Sequence, residues 1–160
     1  MKCDFIDNRD HRGNTAAMTA EITMDNESAD NESLDNKSVV QRALTEFVET
    51  GSAFVLEPRL SDDFVHHRPD GTSKTRTEWL AAVEAALTHL EGMSLEVRHL
   101  LADGDHVVMH SRRRLPGDGP EITVVDIWRV EDGLIAECWE TIEPAAQAQA
   151  NLTWWDPARP

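Results

Sequence analysis

The chain has 160 residues, of which 40% are hydrophobic, and this suits one domain with tails and a sizeable core. Its formal net charge is -15, which disfavours nucleic acid and anionic membranes, since both require Lys and Arg to neutralise phosphate. No apolar run reaches the length of a membrane span, and the N-terminus has no apolar signal core, so a cytoplasmic location is expected.

Residues 1–36 read as a disordered acidic tail. They hold nine acids and three bases, with a near-repeat from Asp25 to Ser38. Such a segment buries too little apolar area to offset its ordering entropy. Ser38-Val39-Val40-Gln41 fits a capping box and predicts a helix start. Val40, Ala43, Leu44, Phe47 and Val48 follow at helical spacing, and Gly51 ends the helix. A short helix is expected over Ala53 to Leu60, and a short strand over Asp63 to Arg68, closed by Pro69-Asp70-Gly71.

Thr75-Arg76-Thr77-Glu78 is a second capping box. The helix that it opens carries Trp79, Val83, Ala86, Leu87 and Leu90 on one face and stops at Gly92. The period then switches to two, with Leu95, Val97, His99 and Leu101 on one predicted strand face. On that apolar stripe His99 reads as a core His. Strands follow over Val107 to Leu115, Ile122 to Val130 and Leu134 to Ile142. On a strand, Arg112, Arg113 and Arg114 cannot share one face. Residues 37–144 thus form an α+β domain with helices packed on one face of a curved, mainly antiparallel sheet. Residues 145–160 form a C-terminal tail ending near Trp154 and Trp155, which are candidates to cap a pocket or contact a partner.

Asp126 is the conspicuous residue. Strand interiors disfavour Asp, yet this one stands between Val125 and Ile127. Its neighbours of like parity, Val124, Trp128 and Val130, form an apolar wall with no cation. Desolvation there would raise its pKa toward neutrality, where a carboxyl both gives and takes protons.

Three stretches carry a family resemblance: Leu60-Ser61-Asp62-Asp63-Phe64-Val65-His66-His67-Arg68-Pro69, Leu101 to Val108, and Val124-Val125-Asp126-Ile127-Trp128 through Trp139. In these the chain resembles the SnoaL-like group of the nuclear transport factor two-like superfamily. The resemblance implies a cone-shaped α+β barrel around an apolar pocket, and a homodimer through the outer face of the sheet. The superfamily includes polyketide cyclases, ketosteroid isomerases, epoxide hydrolases, dehydratases and non-catalytic binding modules, so fold alone does not assign function. The expected ligand is an apolar small molecule.

Asp126 matches the acid/base Asp of the cyclases and the oxyanion-hole Asp of the steroid isomerases. Arg68 stands where the isomerase base would be, Ala43 replaces the isomerase Tyr, and the chain has no Tyr at all. Steroid isomerase activity is therefore not expected. Glu140 depends on hairpin register. A three-residue loop with Gly133 in a bulge pairs Val130 with Leu134, sets Asp126 opposite Cys138 and puts Glu140 on the face of Asp126. A two-residue loop at Asp132-Gly133 would turn Trp139 inward and Glu140 outward instead; the three-residue loop is expected, because Gly133 then supplies the positive φ. His66 and His67 point to opposite faces, so one of them is expected at the pocket; the resemblance alone does not choose. His110 is a further candidate, able to reach the pocket or bond across the sheet. Trp128, Phe47, Phe64 and Trp79 are candidate pocket lining, with Arg68 as a binding residue. The four strand His lack the tight spacing of metal ligands, and no nucleotide-binding glycine motif occurs; no metal or cofactor is expected. The leading reading is cofactor-independent acid/base chemistry, polyketide-cyclase-like, with epoxide hydrolysis or dehydration as the enzymatic rival and a non-catalytic binder as the other.

Overall fold

The computed structural model describes residues 2–5 and 23–144. In chain order it contains β1 (Lys2–Phe5), α1 (Thr23–Thr50), a 3-10 helix (Ala53–Arg59), β2 (Leu60–His67), β3 (Ser73–Thr75), α2 (Arg76–Leu87), β4 (Ser94–Asp103), β5 (His106–Arg114), β6 (Glu121–Glu131) and β7 (Leu134–Pro144). The sheet order is β1-β4-β5-β6-β7-β2-β3. The β4 to β7 meander is antiparallel, whereas β1 on β4 and β2 on β7 pair in parallel. The helices cover the inner face of this open, strongly curved sheet, as the α+β cone requires.

The core forms where the periodic faces meet. Val40 and Ala43 of α1, Leu56 of the 3-10 helix, Phe64 of β2 and Leu80 of α2 pack against Val107, Trp128, Val130 and Ile135 of the sheet. The second capping box closes with both reciprocal bonds, and Gly51 takes a φ of 65° just beyond α1. α2 ends at Leu87, before the expected stop at Gly92, because residues after Thr88 close tighter turns on Ala86 and Leu87 carbonyls.

Two parts of the segment expected to be disordered carry regular structure. Residues 2–5 add a parallel strand beside Ser94 to Val97, and α1 begins at Thr23. Ser38 therefore lies inside α1 rather than at its start. Buried Asn36 donates through Nδ2 to the Gly104 carbonyl at 3.0 Å and ties this part of the helix to the β4–β5 turn. Residues 6–22, the 145–160 tail, Trp154 and Trp155 lie outside the described residues.

A second correction concerns β4. Its register against β5 shifts between Val97 and His99, the mark of a β-bulge. Val97 stays buried, but beyond the bulge Leu100 and Ala102 face the core, while Leu101 is 63% exposed and His99 lies outside. His99 is thus not a core residue. Its Nδ1 lies 3.0 Å from Nδ1 of His110 on the outer face.

Candidate active site

Strand alternation builds the site. On β6, Val124, Asp126, Trp128 and Val130 are all buried and point inward. The β6–β7 hairpin sets what stands beside them. Glu131 pairs with Leu134, so the loop is the two-residue Asp132-Gly133, with φ of 50° and 76°. This is the primed turn that Asp-Gly favours, not the expected three-residue loop. Such a loop alone would have turned Trp139 inward. A register shift between Arg129 and Val130 restores the parity, because Val130 pairs with Ile135 but Arg129 pairs with Glu137. Asp126 consequently lies directly opposite Glu140, and Trp128 opposite Cys138. Trp139 faces outward, stacked on His67 with ring centroids 5.1 Å apart.

These strands and helices enclose a cavity of about 370 Å³. Its walls include Asp126, Glu140, His66, Arg68, Lys74, Arg113 and Cys138, with Phe47, Trp79, Trp128 and the apolar faces of α1 and α2. Its size lies in the range of small-molecule sites. Phe64 is fully buried against Trp79 and does not line the cavity. His67 and His110 are not cavity residues either. His67 contacts Glu137 at 3.0 Å and Ser73 at 3.2 Å on the other side of β2, and His110 pairs with His99. Both follow from alternation: His66 and Met109 take the inward positions beside them.

The apolar wall around Asp126 does contain a cation, contrary to the sequence reading. Arg113 of β5 donates to the Asp126 carboxylate at 2.7 Å and stands 3.9 Å from Glu140. Arg112 and Arg114 turn the other way, to Glu121. Asp126 is 4% exposed. Burial is the largest influence on its carboxyl, and Glu140 adds to it; Arg113 opposes both. The balance holds the pKa up, at about 6. At neutral pH Asp126 is mainly a carboxylate, close enough to its pKa to accept and return a proton.

His66 is 5% exposed, and its Nε2 stands 3.8 Å from Glu140. Burial first, then Arg68, His67 and Lys74, lowers its pKa to about 4. It is therefore neutral at pH 7. Its Nδ1 is buried without a hydrogen-bond partner, as are Arg113 Nε and Trp128 Nε1. Burial pushes the Cys138 thiol well up, so it stays a neutral, small apolar group. Among the described residues no group of three or more His, Cys, Asp or Glu is placed to hold a metal ion, and no helix is long and apolar enough to cross a membrane.

Sequence reasoning missed Arg113 and Lys74. For Arg113 a signal existed: it shares parity with Val107 and Met109, whereas His110 does not. Lys74 is placed by β3, a three-residue strand too short to announce itself, where it pairs with His66.

A family model for the SnoaL-like domain matches residues 40–138, the stretch that holds the cavity wall from Val40 to Cys138, with Glu140 just beyond it. The chain belongs to the SnoaL-like family. Solved structures agree on the fold of this SnoaL-like chain. Wild-type IdmH from Streptomyces antibioticus, a candidate polyketide cyclase, is 24% identical with a TM-score of 0.58, over 73% of this chain and 98% of that one. A candidate ketosteroid isomerase from Kribbella flavida is 18% identical with a TM-score of 0.60, over 71% and 82%. An LEH-like epoxide hydrolase from M. tuberculosis is 15% identical with a TM-score of 0.53, over 70% and 85%. No match was found among curated protein sequences. These likenesses establish the cone-like α+β scaffold; the chemistry rests on the site.

Proposed function

We propose that the protein is a cofactor-independent acid/base enzyme acting on an apolar small molecule, with a polyketide-cyclase-like ring closure as the leading reaction. The observation that carries this reading is Asp126, buried in the cavity wall with its pKa held at about 6. In such a step the Asp126 carboxylate takes a proton from the carbon beside a ketone. The C–H electron pair moves into the adjacent carbonyl and forms an enolate. The enolate carbon attacks a second carbonyl of the same molecule, and the new alkoxide takes the proton back from Asp126. A C–C bond forms, no redox agent is needed, and the carboxylate is restored. Arg113 holds the carboxylate in place, and the apolar walls exclude water from the enolate. Neutral His66, whose ring N–H can donate, is the group that would orient the second carbonyl, with Glu140 3.8 Å from its Nε2.

One observation favours a second reading. Arg113 stands between two carboxylates, at 2.7 Å from Asp126 and 3.9 Å from Glu140. Two carboxyl groups on one cavity wall could hold a water between them, which opening of an epoxide by water also requires.

The test is proton exchange in D2O, followed by mass spectrometry, on apolar 1,3-diketones and longer polyketones, with apolar epoxides as a parallel panel. The wild type is expected to exchange or cyclise a member of the first panel. Asp126→Asn should lose roughly 100-fold or more. Turnover that survives Asp126→Asn would remove Asp126 from the chemistry, and turnover confined to epoxides would favour the second reading. We also propose a homodimer through the outer sheet face, where Trp139 and exposed Leu101 lie; sedimentation of the full chain tests it.

A further inference from the structure

The cavity's charge runs against that of the chain. The chain carries twice as many acids as bases, yet its cavity wall holds three fixed cations, Arg68, Lys74 and Arg113, against two carboxylates. Arg113 is committed to those carboxylates. Arg68 and Lys74 are not: among the described residues neither has a carboxylate within ion-pair distance.

Register explains their position. Lys74 is the cross-strand partner of His66, so both project from the inner face. Arg68 follows His66 by two residues and shares its parity. Arg68 is exposed and Lys74 half-buried, although both line the cavity; they therefore stand at its opening. Asp70 feels the charge of Arg68 and Glu78 that of Lys74, but both acids take their hydrogen bonds from other groups. Asp70 accepts from the Thr72 hydroxyl at 2.6 Å, and Glu78 closes the α2 capping box with Thr75. Burial is the main cause that lowers the proton affinity of His66, and both cations act in the same direction.

We propose that Arg68 and Lys74 form an anion subsite at the mouth of the cavity, which binds the carboxylate of an otherwise apolar ligand. The apolar body would lie against α1 and α2, and the carboxylate would remain at the rim, beside the two uncommitted cations. A neutral molecule of the same shape leaves this pair unused. The proposal deepens the preceding reading by naming a substrate class, and rests on it only in taking this cavity as the ligand site.

Calorimetric titration of the full chain with 2-naphthoate and with the near-isosteric, neutral 2-naphthamide tests it. At low ionic strength naphthoate is expected to bind about tenfold more tightly, the effect of two partly solvated charges near 4 Å. Raising the salt should shrink the difference, because the rim is exposed. The Arg68→Gln/Lys74→Gln double variant should bind the two probes equally, and its unchanged affinity for naphthamide would show that the cavity is intact. Equal affinities in the wild type, no naphthoate binding at millimolar concentration, or a preference that survives the double variant would each overturn the subsite. Asp126→Asn should keep the naphthoate preference. The two proposals can therefore fail separately: a lost preference with Asp126-dependent turnover refutes only the subsite.

Discussion

Among the described residues Arg113 is the cation bonded to Asp126, and replacing it with Gln should change stability in a pH-dependent way. The bond is 2.7 Å long and joins two ionised groups beneath the surface. A charge-assisted bond of this kind contributes about 1.5–3 kcal/mol. Because Arg113 favours only the ionised carboxyl, its loss should move the titration of Asp126 upward by about one to two pH units. The stability cost then depends on pH. At pH 5 Asp126 is already largely protonated, since its pKa is about 6, and the loss of Arg113 costs little through this bond. At pH 8 the wild type holds a stabilised carboxylate, and Arg113→Gln should be less stable by an additional 1.5–3 kcal/mol or so. Urea unfolding at the two pH values measures this difference, and pH-independent effects of the substitution cancel from it. The Asp126→Asn background should abolish the pH-dependent part. An Arg113→Gln penalty equal at pH 5 and pH 8 would refute the assignment of Arg113 as the counter-charge of Asp126.

His66 gives a prediction of opposite sign. Its pKa falls from 6.5 in the unfolded chain to about 4 in the fold, so its contribution is present above pH 6.5 and is lost as the pH falls through 4. The loss amounts to at most about 3 kcal/mol, and His66→Gln should lack it in urea or thermal unfolding. The raised pKa of Asp126 works in reverse: stability present below pH 3.8 is lost as the pH rises through 6. The two dependences oppose each other between pH 4 and 6, so the wild type should look flat there while each single variant slopes. At the other end of the molecule, Asn36→Ala leaves the Gly104 carbonyl without its donor and should cost about 1–2 kcal/mol, with faster amide exchange confined to the β4–β5 turn and α1. Exchange that is unchanged there would contradict the tie between helix and turn.

The parts of this fold written in local chemistry were legible. The capping box at Thr75, the glycine beyond α1 and the four meander strands need only neighbouring residues, and each stands close to its expected place. What escaped depends on one residue inserted out of phase. The bulge after Val97 reversed the rest of β4, so His99 left the core and Leu100 entered it. The β6–β7 hairpin combined a two-residue loop with a bulge, two features that cancel. Glu140 therefore stands on the face expected for it, by a different route. In the N-terminal part of α1, the bond from Asn36 to a turn 68 residues away is a contact that no local pattern reveals. At the site, alternation from Val107 and Met109 would have chosen Arg113 and excluded His110. The ion pair itself spans two strands, and no pattern within either strand reveals it.

The proton affinity of Asp126 decides whether this site can do acid/base chemistry. Heteronuclear NMR of the side-chain carboxyl carbons, with Asp126→Asn identifying the resonance, reports it directly. A midpoint near 6 is expected in the full chain at low salt, well above the usual 3.8. A midpoint at or below 4 would mean that Arg113 outweighs burial and leaves a fixed structural carboxylate, and the acid/base reading would then be wrong.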